Sequence, residues 1–113
     1  MSAAFHIALG DARRQISDNP DEPRFALLGS HGSLTVELYR PVLADLQQPH
    51  DRDECYVVTD GNGIFKMGDE TVPFAPGDFI FVPAGMPHRF RDFGRSMTSW
   101  VMFYGPEGGE AGE

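Results

Sequence analysis

The sequence predicts an all-β domain, a single sandwich or barrel of seven to nine short strands. Three observations predict it. Short segments rich in Phe, Val and Ile recur from residue 24 to residue 104, turn residues separate them at close spacing, and no long helical pattern interrupts them. Nine Phe suit a pleated core, and thirteen Gly with nine Pro supply the turns.

Taken in order, residues 1–24 form a lead-in. Phe5, Ile7 and Leu9 alternate with small or polar residues and predict a short strand; Asp11 to Ser17 suits a helical turn. Asn19-Pro20 and Glu22-Pro23 then break the chain. Strands are predicted over 24–28 and 33–40, with Gly29-Ser30-His31-Gly32 as the turn between them. The second of these alternates cleanly, Leu34, Val36 and Leu38 against Ser33, Thr35, Glu37 and Tyr39. Further strands are predicted over 54–59, 64–67, 71–74, 79–82, 88–93 and 98–104. Asp60-Gly61-Asn62-Gly63 reads as a hairpin turn, Gly68-Asp69 as a second turn, and Pro83 to Pro87 as a loop. Residues 105–113 are Gly- and Glu-rich and predict a flexible tail.

The chain of 113 residues fits one domain, with a core over about 33–104. Its net charge of −8 argues against nucleic acid as a partner, because phosphates require clustered Lys and Arg. Cys55 is the one cysteine, which suits a reducing compartment. No leader-like segment and no apolar run of membrane-spanning length is present, so a soluble cytoplasmic protein is expected.

Two segments carry the chemistry. The first, Gln48 to Gly61, holds His50 and Glu54; the second, Gly77 to Asp92, holds His88. Two imidazoles and a carboxylate suit zinc, iron or another first-row metal. On a straight strand His50 and Glu54 would stand roughly 13 Å apart, so the polar Asp51-Arg52-Asp53 must turn the chain if they are to share an ion. Gln48 lies two residues before His50, on the same face of an extended stretch, and is a candidate fourth ligand through its amide oxygen.

The two segments resemble the paired motifs of the cupin superfamily. In outline the first family motif reads Gly, His-x-His, Glu, Gly; here His50 matches the second His, Glu54 the Glu and Gly61 the closing Gly. Gly77, Pro83, Gly85 and His88 match the second motif, with Asp92 where Asn is usual. Two departures stand out: residues 40–44 hold no opening Gly, and Gln48 replaces the first His. The resemblance implies a single jelly-roll cupin β-barrel with one divalent transition metal (Zn, Fe, Mn or Ni) on His50, Glu54, His88 and Gln48. That set is similar to the Gln-His-Glu-His site of phosphomannose-isomerase-type cupins, which hold zinc. Without Gln48 it resembles the facial triad of non-haem iron oxygenases.

Bland roles suit most other polar residues. His6 and His31 read as solvated, Asp51, Arg52 and Asp53 as exposed turn charges, and Arg89 and Arg91 as surface charges pointing away from His88. Tyr56, Val58 and Phe90 are expected to line the interior with one alternate set of the last strand, either Trp100 and Met102 or Val101 and Phe103. Cys55, Val57 and the segment Phe79 to Val82 place apolar residues on the outer face, which predicts a homodimer. The expected function is a metal-dependent enzyme acting on a small polar organic molecule, dioxygenase- or isomerase-like, with a non-catalytic small-ligand-binding module as the alternative.

Overall fold

The computed structural model describes residues 4–16 and 24–111. Its elements run α1 (Leu9–Arg14), β1 (Phe25–His31), β2 (Leu34–Tyr39), β3 (Asp53–Asp60), β4 (Gly63–Met67), β5 (Glu70–Phe74), β6 (Phe79–Val82), β7 (His88–Arg91) and β8 (Thr98–Tyr104). All pairings are antiparallel. A five-stranded sheet in the order β1-β2-β8-β3-β6 faces a three-stranded sheet in the order β5-β4-β7, the jelly-roll arrangement that the resemblance implied.

The core fills the space between the sheets. Tyr56, Val58, Ile80, Val82, Val101 and Phe103 enter it from the larger sheet, and Phe65, Phe74 and Phe90 from the smaller. Phe90 is its centre: edge-on and tilted rings of Tyr56, Phe65 and Phe74 surround it at 5.0, 4.6 and 5.1 Å. The undecided register of β8 is thereby resolved. Val101 and Phe103 point inward, while Trp100 packs on the outer side. The closing turn of β3 depends on Gly61, whose φ is +91° and where a Cβ would come within 2.7 Å of Met97 Cβ.

A second apolar cluster covers the outer face of β1 and β2. Ala12 and Ile16 of the lead-in pack with Leu38, flanked by Ile7, Leu9, Ala26, Leu28 and Trp100. This explains one correction. Residues 5–9 do not form the predicted strand; Leu9 instead opens α1, three residues before Ala12 and on the same face, and Ile7 and Ile16 pack beside them from either side of the helix. The predicted breaks at Pro20 and Pro23 lie outside the described residues.

Three further differences concern turns and charges. β1 runs on through Gly29 and Ser30 with a bulge between Leu27 and Gly29, and the chain reverses at Gly32-Ser33, since His31 pairs with Leu34. Asp53, expected to be an exposed turn charge, is 4% exposed and opens β3. Its carboxylate accepts the N–H groups of Ala84 and Glu110, each at 2.9 Å. The segment expected to be a flexible tail is therefore tied down over its described part: besides Glu110, the Gly108 N–H donates to the Asp51 carbonyl at 2.6 Å. Asp53 could not be recognised as internal because its partners, Ala84 and Glu110, lie 31 and 57 residues away.

Candidate metal centre

Each of the three predicted ligands sits on a different piece of the barrel. Glu54 is the second residue of β3 and pairs with Val82 of β6 and Phe103 of β8, so it lies mid-sheet with its side chain inward and 1% exposed. His88 opens β7 on the opposite sheet. His50 lies in the loop before β3, where the chain bends at Asp51 and Arg52 as the ligand spacing required. The Gly85 N–H, in a loop turned by φ +80° at Gly85, donates to the His50 carbonyl at 2.7 Å. That bond ties the His50 loop to the loop that delivers His88. The His50 ring is fixed edge-on against Phe103 at 4.7 Å, and its centroid is 5.8 Å from that of His88.

One ligand atom from each of His50, Glu54 and His88 lies within 4.8 Å of the others. Donors at about 2.1 Å on one ion in a tetrahedral arrangement stand about 3.4 Å apart, so the most distant pair needs to close by at most about 1.4 Å. The group could hold a metal ion. Its chemistry fits one for a specific reason. His88 Nδ1 donates to the Met86 carbonyl at 2.8 Å, which leaves Nε2 facing Glu54 Oε1 at 2.8 Å. Although that is ion-pair distance, neither His88 Nε2 nor Glu54 Oε2 has a hydrogen-bond partner of acceptable geometry, and both are buried. Two buried lone-pair donors at this spacing require a cation between them, a proton or a metal. Without metal the proton is favoured. Burial pushes the His88 imidazole down, but the nearby Glu54 carboxylate, the hydrogen bond to the Met86 carbonyl and the charge of Asp45 hold it above its ordinary value.

Gln48 is exposed and lines both cavities. The neighbouring Gln47 turns inward instead. Its amide oxygen accepts the Tyr56 hydroxyl at 3.0 Å and lies 3.5 Å from His50 Nε2. Sequence reasoning also passed over Asp45, which is 2% exposed. The only signal was an acid within the apolar run Val42 to Leu46.

His50 faces a cavity of about 670 Å³ bounded by Phe25 and Leu27 of β1, Thr35, Glu37 and Tyr39 of β2, Val101 and Phe103 of β8, and the loop carrying Arg52. His88 borders a second space of about 310 Å³ with Lys66 and Arg89. In the larger cavity burial and the Glu54 charge raise the Glu37 pKa, partly offset by Arg52. Arg52 donates to the Ser33 carbonyl and lies 5.8 Å from the Phe103 ring centroid. Cys55, on the opposite face of β3, has its thiol pKa raised by burial and by the charges of Glu54 and Asp53, so it is a poor nucleophile.

The chain is similar to known proteins over most of this architecture. It is 38% identical over 63 residues to an uncharacterised protein of Streptomyces coelicolor, a match covering 56% of this chain and 60% of that protein. Among solved structures, a Thermus thermophilus protein aligns with TM-score 0.66 at 24% identity, over 81% of this chain and 91% of that one. A Neisseria meningitidis protein aligns with TM-score 0.71 at 16% identity, over 89% and 100%. A cupin-2 domain protein of Shewanella frigidimarina aligns with TM-score 0.68 at 13% identity, over 88% and 94%. At these identities the structures speak for the fold alone. Residues 41–104 match the cupin domain family, a span that contains both sheets' site-bearing strands and all three ligand candidates, and the chain belongs to that family.

Proposed function

We propose that this cupin is a metal-dependent enzyme acting on a small polar organic molecule, with His50, Glu54 and His88 holding one divalent transition metal. The observation that carries the reading is the buried His88–Glu54 pair, with Nε2 and Oε2 unpartnered, grouped with His50, which faces the 670 Å³ cavity. A bound metal would supply Lewis acidity to a substrate oxygen, or a site for dioxygen beside the substrate. The protein's own groups do the rest. The Met86 carbonyl fixes the His88 tautomer, Val101 and Phe103 keep water from the floor of the cavity, and Glu37 and Arg52 offer hydrogen-bonding groups to a polar ligand. A cavity with mixed polar and aromatic walls equally serves a module that binds such a molecule without turning it over.

Elemental analysis of freshly purified protein beside His50→Ala and His88→Ala tests the metal. Stoichiometric metal in the parent, lost in both variants, is expected; no metal in all three would sink the site. Turnover or oxygen uptake in a small-metabolite screen, lost in His50→Ala, separates enzyme from binder.

We also propose a homodimer. Phe79 and Phe81 of the edge strand β6 are 64% and 44% exposed, and pair across β3 with Val57 and Cys55 on the same outer face. A monomer at micromolar concentration by sedimentation would reject it. With Cys55 a free thiol and no described helix long and apolar enough to cross a membrane, a reducing compartment such as the cytoplasm suits the chain.

A further inference from the structure

Gln47 and Gln48 offer two amides to one opening, and the structure treats them differently. Gln48 is exposed. Gln47 has its orientation fixed. Its Nε2 donates to Asp45 Oδ2 at 2.7 Å, and its backbone N–H donates to Asp45 Oδ1 at 3.1 Å. An ionised carboxylate only accepts, so the amide nitrogen must face Asp45 and the amide oxygen must face the other way. Asp45 in turn is anchored from both sheets. The Tyr39 hydroxyl donates to it at 2.6 Å from β2, and the Phe90 N–H at 2.9 Å from β7.

The direction imposed on Gln47 Oε1 is toward the metal ligands. Tyr56 O–H donates to it at 3.0 Å. His50 Nε2 is 3.5 Å away. That is long for a hydrogen bond. It is the spacing of two donors on one ion, since ligands at about 2.1 Å in a tetrahedral arrangement stand about 3.4 Å apart. A carbonyl oxygen has two lone pairs, and Tyr56 occupies one.

We infer that the amide oxygen of Gln47, not that of Gln48, completes the metal centre beside His50, Glu54 and His88, and that Asp45 is the positioning residue that aims it. The inference rests on the metal reading above and names a fourth member for it. Asp45 acts at one remove. Replacing its carboxylate with an amide would let the Gln47 side chain flip, bringing N–H groups to face the cation.

The test is a Co²⁺ titration of chelator-stripped protein, read by the visible absorption bands of the bound ion. Gln47→Met keeps chain length and removes the oxygen. It is expected to weaken Co²⁺ binding by about tenfold to a hundredfold and to alter the spectrum, and Asp45→Asn to do so in the same direction, the range seen for groups that tune a metal site. Gln48→Met should match the parent in both readouts. Gln47→Glu restores an oxygen and should bind Co²⁺ at least about tenfold more tightly than Gln47→Met. Far-UV circular dichroism of the stripped proteins separates loss of fold from loss of ligand, and Gln47→Glu against the parent decides the matter if Gln47→Met fails to fold. Parent-like affinity and spectrum in Gln47→Met, or a shift caused by Gln48→Met instead, would overturn the assignment while leaving the centre intact. A parent protein that takes up no Co²⁺ would overturn the metal reading as well.

Discussion

Asp45→Ala should be among the most damaging single substitutions in this chain, even with no metal present. The carboxylate is 2% exposed and accepts hydrogen bonds from Tyr39 Oη, Gln47 N, Gln47 Nε2 and Phe90 N. Phe90 N lies within the barrel, so stranding it costs about 1–3 kcal/mol. Tyr39 and Gln47 are half-buried and regain some water, so each loses nearer the net value of a hydrogen bond, about 0.5–1.5 kcal/mol. Together the loss should be about 2–6 kcal/mol. For a chain of this size that lowers the Tm by roughly 8–24 °C, at about 4 °C per kcal/mol. Asp45→Asn keeps one acceptor oxygen but turns an NH₂ toward donors on the other side, and should lose about half as much. Urea unfolding of chelator-treated protein, followed by Trp100 fluorescence and by circular dichroism, measures both. A loss below about 1 kcal/mol in Asp45→Ala would refute the claim that these four bonds hold the 45–50 loop against the barrel.

Three other outcomes are expected. The His88 imidazole is held above its ordinary value of 6.5, so its contribution to metal-free stability is complete below pH 6.5 and is lost as the pH rises through the raised value. The urea midpoint of stripped protein should therefore fall with pH across that window, and this fall should flatten in Glu54→Gln; metal affinity should rise over the same window, because the ion displaces the proton. Phe90→Ala, at a 1% exposed residue ringed by three aromatics, should cost about 3–5 kcal/mol by chemical denaturation without changing the oligomeric state. Gly61→Ala should destabilise by at least about 1–3 kcal/mol, since it combines strained φ with a Cβ 2.7 Å from Met97 Cβ; wild-type thermal stability would contradict that.

The strands and the grouping of His50, Glu54 and His88 were legible in the sequence for different reasons. Strand positions followed from alternation and from turn residues such as Gly61, Gly68 and Gly77, all of which adopt positive φ. His50, Glu54 and His88 were legible because two spaced motifs point at one another and because a turn had to join them. The proposed fourth position was not. Gln47 and Gln48 are the same residue type one step apart, and a slip of one residue reverses a side chain's direction in extended chain. What decides between them is Asp45, whose role depends on Tyr39 and Phe90 reaching it from opposite sheets. No local pattern reports contacts 6 and 45 residues away.

The faces of β2 show a deeper limit of periodicity. Alternation separated Thr35, Glu37 and Tyr39 from Val36 and Leu38 correctly, but it identifies faces and does not say which face is inside. In a half-buried sheet the apolar face ordinarily marks the core. Here the polar face looks into the barrel, where Thr35, Glu37 and Tyr39 line the cavity, and the apolar face looks out, where α1 covers Leu38 completely. β1 differs: apolar residues stand on both of its faces, Phe25 and Leu27 toward the cavity and Ala26 and Leu28 toward the helix. A cavity that admits a polar ligand needs hydrogen-bonding groups on its walls, and β2 supplies them, so its apolar residues cannot be buried inward and must be covered from outside. The short lead-in helix is what allows the inner face of β2 to be polar, and so it belongs to the construction of the cavity.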